Sequence, residues 1–178
     1  MSTVSPLIPS DRRILFFRRD RDAFGFLSNF YPAPVAIEGE AWATVEHYYQ
    51  AQKSLERAYQ NLVRDAPTPG RAKRLGAAPE LPRARSRDSW FRTNQTRYRD
   101  DWDDIKLELM RLAVRAKFHQ NAELGRQLLD TQDAEIVEDS AMDSFWGVGA
   151  DGTGRNWLGC ILMDIRAELA AVIEGANG

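Results

Sequence analysis

Disulfide chemistry is closed to this chain, because its 178 residues contain one cysteine, Cys160, and no intrachain bridge can form. Histidine is almost as scarce. His47 and His119 stand far apart, and with one thiol they cannot supply the usual structural zinc ligand set. No metal and no cofactor are therefore expected. No apolar run approaches the length of a membrane span, which excludes a helical membrane protein. The opening "MSTVSPLIPS" lacks a basic start and a long apolar stretch, so a signal peptide is not expected and a cytoplasmic location is. Excess charge is missing as well. A formal net charge of −2 creates no global field towards nucleic acid or an anionic membrane.

What the chain does have is unevenly spread. Between Arg64 and Arg99 ten basic residues face three acidic ones, so the remainder of the chain is strongly acidic. The apolar fraction of 43% and the length suffice for one domain with a real core. Residues 1–12 are expected to be a flexible tail and 13–173 a single domain. "RILFF" (13–17) suits a buried strand. "PVAIEGEAWAT" reads as a hairpin: Val35 to Ile37, a turn at Glu38 and Gly39, then Ala41 to Ala43. Thr44 is placed to cap a helix with Glu46 in its first turn, running to about Arg57. A short helix is expected around Arg71 to Leu75. From Asp101 a long one carries Trp102, Ile105, Leu109, Leu112 and Ala116 at helical spacing. Ala122 to Leu129 forms another helix, "AEIVE" (134–138) a strand, and 139–155 a Gly-rich loop. A last helix presents Leu158, Ile161, Leu162, Ile165 and Leu169 on one face. The fold class is α+β, helix-dominated, with a few short strands.

Two stretches can carry chemistry. In "TVEHYYQAQK" (44–53), helical periodicity puts Glu46, Gln50, Lys53 and Arg57 on one stripe, opposite Tyr48, Ala51 and Leu55. That stripe is either a solvated face with favourable i,i+4 spacing or a reactive set facing a pocket. Trp42, His47, Tyr48 and Tyr49 surround the helix with apolar surface, and a helix buried on most sides must pair or use its Glu and Lys. The second stretch is "DSFWGVGADGTGRNWLG" (143–159). Its Gly147–Gly152 match to G-x-G-x-x-G lacks the βαβ context of a dinucleotide site. The loop is either a tight surface turn or a ligand cradle whose backbone N–H groups and following helix N-terminus favour an anion. Asp143 beside Trp146 favours the cradle, since a carboxylate can hold a ribose and an indole can stack on a base. The basic segment contains Trp90, Phe91 and Tyr98, a mixture seen on nucleic-acid surfaces and also on solvated faces paired with acidic ones. Cys160 sits among apolar neighbours and is expected in the core.

Several segments then fall in a recognisable order: "FGFLSNFYPAPV" (24–35), "TVEHYYQAQK" (44–53), "AKRLG" (72–76), "RDDWDDIKLELMRLAVRAKF" (99–118), "LLDT" (128–131) and "DSFWGVGADGTGRNWLGCILMDIR" (143–166). Together they resemble the YbiA-like, or NADAR, family over about residues 14–169, whereas Ala77–Arg87 matches no family motif. The resemblance implies an N-glycosidase cleaving a ribose C1′–N bond. Its substrates would be phosphoribosylamino-pyrimidine intermediates of riboflavin synthesis, or ADP-ribose attached to guanine as a small molecule or in nucleic acid. It also implies roles. Glu46 would be the acid/base carboxylate, Lys53 a candidate nucleophile and Asp143 a further catalytic carboxylate. Ser28, Asn29, Phe30, His47, Gln50, Trp90, Trp146, Gly147, Gly149 and Asn156 would contact substrate. Two rival classes stay open: a module that binds ADP-ribose or a nucleotide without catalysis, and a nucleic-acid-binding module marked by strong salt dependence.

Overall fold

A computed structural model describes residues 12–17, 23–78, 89–94 and 96–176. The tail expected at 1–12 lies outside these residues except for Arg12, as do Arg83, Arg85 and Arg87 of the basic segment. The architecture is α+β and helix-dominated, with a few short strands. It gathers into two compact units: Pro32–Ala116, and the chain up to Tyr31 together with Lys117 onward.

The Pro32–Ala116 unit opens on the expected hairpin. β1 (Arg13–Phe16) is a strand of the other unit, and here β2 (Val35–Ile37) pairs antiparallel with β3 (Glu40–Trp42) in the register Val35↔Trp42. Glu38 and Gly39 have φ of 53° and 79°, both left-handed, as a two-residue turn matching the strand twist requires. Val35, Ile37 and Trp42 point inward while Ala36 and Ala41 face solvent. Thr44, extended at φ −153°, caps α1 (Val45–Ala51) by accepting the His47 N–H at 3.3 Å. All seven residues of this helix are buried.

α1 stops at Ala51, not near Arg57. Tertiary partners end it. The Tyr59 hydroxyl donates to the Gln50 carbonyl at 2.8 Å, and the Arg99 N–H donates to the Lys53 carbonyl at 2.9 Å. These bonds satisfy carbonyls that a helix end leaves orphaned. The chain restarts as α2 (Arg57–Arg64), after the Ser54 hydroxyl accepts the Glu56 N–H. Arg57 therefore leaves the stripe and pairs with Glu40 at 3.3 Å, while Leu55 is 73% exposed. α3 (Pro69–Leu75) has Thr68 as N-cap and Pro69 in its first turn, where the missing N–H costs nothing. α2 and α3 both pack on α1. A short α4 (Trp90–Thr93) sets Phe91 against Tyr59 (ring centroids 4.7 Å) and Tyr98 (4.9 Å). Three basic residues of this segment pair with acids: Arg64 with Glu40, Arg97 with Asp100, and Arg99 with both oxygens of Asp101.

The long helix α5 (Trp102–Gln120) starts in this unit and gives its last turn to the other. Its buried positions are Trp102, Met110, Ala113, Val114, Lys117 and Phe118, with Ile105 and Leu109 half-buried. Leu112, expected on the buried face, is 41% exposed. The apolar pattern misplaced the face because a lysine occupies one of its inward positions.

In the second unit β1 (Arg13–Phe16) pairs in parallel with β4 (Glu135–Glu138), Ile14 opposite Ile136. α6 (Ala122–Leu129) and β4 pack on α7 (Trp157–Ala176), which buries Leu158, Ile161, Leu162 and Ile165. Leu169 is half-buried, and so is Cys160, which was expected in the core. No helix among the described residues is long and apolar enough to cross a membrane.

Candidate active site

α1 brings three of the expected residues together. Glu46 is only 5% exposed, and its Oε1 accepts the Gln50 Nε2–H at 2.9 Å. Position in the first turn places this carboxylate near the helix N-terminus, where the backbone dipole favours negative charge. Lys53 follows the helix and turns inward. Its Nζ donates to the Gly76 carbonyl at 2.7 Å and lies over the rings of Tyr49 (5.7 Å) and Trp102 (5.4 Å). Burial lowers the Lys53 pKa to about 8, against the opposing pull of the Glu46 carboxylate, with Lys73 and Lys106 lowering it further. Roughly a tenth of such an amine is unprotonated near pH 7, several hundred-fold more than for an ordinary lysine. The solvated-face alternative for this stripe is excluded by burial.

His47 has both ring nitrogens committed. Nδ1 lies 2.8 Å from the Thr44 hydroxyl and Nε2 3.0 Å from the Ala66 carbonyl. A carbonyl only accepts, so Nε2 carries a proton, and in the neutral ring Nδ1 accepts from Thr44. The imidazole anchors α1 to the segment before α3. Gln50 differs: its Oε1 is buried and finds no hydrogen-bond donor among the described residues. Trp90 is half-buried, and its indole N–H donates to Thr96 at 2.8 Å.

The other unit holds the remaining expected residues. After a 3-10 turn at Gly25–Leu27, Ser28 and Asn29 are buried and Phe30 half-buried, with the Phe30 N–H donating to the Ser28 hydroxyl at 3.2 Å. This turn is braced by a residue that sequence reasoning missed. Lys117 is 1% exposed, donates to the carbonyls of Phe26 (2.6 Å) and Ser28 (2.9 Å), and lies over Tyr31 and Phe118. Burial alone lowers its pKa to about 7. Its spacing from Met110, Ala113 and Val114 was the available signal.

The Gly-rich loop is built differently from expectation. Asp143 Oδ1 accepts the N–H groups of Phe145 (3.0 Å) and Trp146 (2.8 Å), so this carboxylate folds the loop. Trp146 is half-buried with its ring edge-on to Phe145 at 4.9 Å. Gly149 needs its left-handed φ of 70°, and a side chain at Gly147 would lie 2.5 Å from the Glu138 carbonyl. The N–H groups of Val148, Gly149 and Gly154 donate inward to Glu138, Asp143 and Val148. At the start of α7, Trp157 and Leu158 donate to the carbonyls of Phe145 and Trp146. Asn156, at φ 50°, donates to the Ile136 carbonyl and accepts the Glu138 N–H, both at 2.9 Å, splinting the loop to β4.

This geometry separates two roles for Asp143. Asp143→Asn keeps an acceptor for both N–H groups and is expected to retain stability and turnover. Asp143→Ala strands both donors and is expected to cost about 1–3 kcal/mol. Thermal melts and initial rates on both variants check this; an inactive but stable Asp143→Asn enzyme would make the carboxylate catalytic. Among the described residues, no three His, Cys, Asp or Glu side chains gather as metal ligands do.

Comparison with known proteins covers both units. A NADAR domain model matches residues 15–170. The N-glycosidase YbiA of Escherichia coli (strain K12) is 40% identical over 157 residues, covering 88% of this chain and 89% of that protein. A riboflavin biosynthesis protein of Vibrio vulnificus is 43% identical over 159 residues, covering 89% of this chain; the chain spans only 39% of that longer protein. The NMR structure of E. coli YbiA superposes with a TM-score of 0.74 at 38% identity, covering 93% of this chain and 88% of that one.

Proposed function

This chain belongs to the NADAR domain family and is an N-glycosidase, a hydrolase of N-glycosyl compounds; on that footing we propose that it cleaves the bond between ribose C1′ and a base or amine nitrogen, with residues 13–173 acting as one catalytic domain. The observation that carries the reading is the pair on and just after α1: a buried carboxylate clamped by Gln50, and a buried amine with its pKa brought down to about 8. Breaking a C1′–N bond builds positive charge on the ribose and negative charge on the leaving nitrogen. Glu46 as a carboxylate offsets the first; as a carboxylic acid it protonates the second.

Lys53 supplies the covalent route. Its free amine attacks C1′ as the C1′–N bond breaks and the leaving nitrogen takes a proton. The C1′–O4′ bond then opens, O4′ takes a proton, and C1′ and Nζ form a Schiff base. Water adds at C1′, the amine leaves, and the sugar closes again with a hydroxyl at C1′. No oxidant or cofactor enters this balance. Burial beside Tyr49 and Trp102 strips water from the amine and leaves it partly unprotonated, as attack requires.

The relative named for riboflavin biosynthesis favours phosphoribosylamino-pyrimidines as substrates, and a cytoplasmic location suits them. ADP-ribosyl guanine, free or in nucleic acid, is the second class. The test offers both to the purified protein and identifies the released sugar, ribose 5-phosphate or ADP-ribose, by mass spectrometry. Release of either supports the reading and names the class. Tight ADP-ribose binding with no product from either substrate would leave a binding module, and salt-dependent affinity for unmodified nucleic acid alone would leave a nucleic-acid module.

A further inference from the structure

Gly76, which closes α3, meets both Gln50, the residue that clamps Glu46, and Lys53, just after α1. Its backbone is ordinary, φ −87° and ψ 12°, so no left-handed conformation demands a glycine there. Space does. A side chain at Gly76 would collide with Gln50 Oε1 and lie 3.1 Å from both its Cβ and Cδ. Gln50 is the residue whose amide clamps Glu46, and its Oε1 is the buried acceptor that finds no donor among the described residues. The Gly76 carbonyl meanwhile receives the Lys53 ammonium at 2.7 Å. One bare peptide unit thus backs the amide that holds the carboxylate and fixes the amine.

We propose that Gly76 is a positioning residue for catalysis: its missing side chain sets the Gln50 amide that aims Glu46, and its carbonyl sets the Lys53 Nζ, so that carboxylate and amine keep a fixed separation. The proposal rests on the reading of Glu46 and Lys53 as the reacting groups. It accounts for a glycine at the end of "AKRLG" that helix termination alone does not require. The atom met first by an added methyl is the far end of a flexible side chain, with the Gln50 Cβ behind it at 3.1 Å, so Gly76→Ala is expected to swing the Gln50 amide aside and to shift α1 by only a few tenths of an ångström. Displacements of this size near reacting atoms cost on the order of 10²-fold in rate.

The experiment compares Gly76→Ala with Gly70→Ala, a control within α3 where an added methyl meets nothing closer than 3.7 Å. Gly70→Ala is expected to match the wild type. Gly76→Ala is expected to melt within a few degrees of it but to lose about 10–100-fold in kcat with KM little changed. Its kcat–pH profile is expected to move, because the amine shifts against the charges that face it: Glu46 on α1, Lys73 on α3 and Lys106 on α5. In a Gln50→Ala background, where Oε1 and Cδ are gone and only the 3.1 Å approach to Cβ remains, Gly76→Ala is expected to cost no more than about threefold further. Full additivity in that background, or a wild-type rate and pH profile in Gly76→Ala alone, overturns the proposal. Wild-type turnover by both Glu46→Gln and Lys53→Arg would instead overturn the reading of the site beneath it. Inactive Glu46 and Lys53 variants beside a fully active Gly76→Ala would remove only the role of Gly76.

Discussion

Glu46→Gln is expected to fold normally and to lose about 10²–10⁴-fold in kcat/KM, the range of a positioned acid/base group. The substitution is isosteric. Its side-chain carbonyl still accepts the Gln50 Nε2–H, so the clamp at 2.9 Å survives and α1 keeps its packing. What disappears is the negative charge that the carboxylate form sets against the developing ribose cation, and the proton that the acid form passes to the leaving nitrogen. The loss is expected in kcat more than in KM, because both interactions strengthen only as the bond breaks. Single-turnover rates beside thermal melts make the check. A variant within a few-fold of wild type would remove Glu46 from the chemistry.

The second large effect is expected at Lys53. Lys53→Arg keeps the positive charge but not the chemistry, since a guanidinium does not give up its proton at any working pH. A loss on the order of 10²–10⁴-fold is expected if the amine attacks C1′. Two independent signatures accompany it. The wild-type rate is expected to rise with pH up to about 8 as the amine loses its proton, then to level off. Borohydride added during turnover is expected to reduce the Schiff base and leave a ribosyl mass on the peptide bearing Lys53. Peptide mapping matters, because Lys117 is a second buried amine lowered to about 7. An adduct on Lys117, or an active Lys53→Arg enzyme with no adduct, would leave Glu46 as the chemical residue of α1 and Lys53 as its companion charge.

Which of these features the amino-acid sequence announced follows from how far their causes reach along the chain. The hairpin turn at Glu38–Gly39, the Thr44 cap and the helix Ala122–Leu129 depend on neighbours a few residues away, and all were legible. The burial of Glu46 and Lys53 was legible too, from the aromatic residues that crowd α1 on every side. The end of α1 was not. It depends on Tyr59 and on Arg99, which lies 46 residues after Lys53 and reaches back to its carbonyl. Lys117 was hidden for a different reason. A lysine is normally counted as solvent-facing, so the true inner stripe of α5 looked broken and a false one through Leu112 looked whole. In the loop at 143–156 the glycines suggested backbone N–H groups brought close to a ligand; that three of the loop's N–H groups meet the carbonyls of Asp143, Glu138 and Val148 depends on contacts of which composition alone carries no sign.

Two lysines sealed into the interior also make folding a proton-exchange reaction. In the unfolded chain each holds its proton until about pH 10.5, whereas in the folded protein Lys53 releases it near 8 and Lys117 near 7. From about pH 8 to 10 the unfolded chain therefore binds more protons, and stability from these two groups rises with pH across that window. Below about pH 7 both states are protonated and the full cost of burying two cations is borne. At pH 9 folding is expected to expel nearly two protons into the medium. Calorimetric unfolding enthalpies should then depend on the buffer, differing between an amine and a borate by nearly twice the difference in their ionisation heats. Lys117→Met should remove about half of that dependence; an enthalpy indifferent to buffer would mean that both amines stay charged inside the fold.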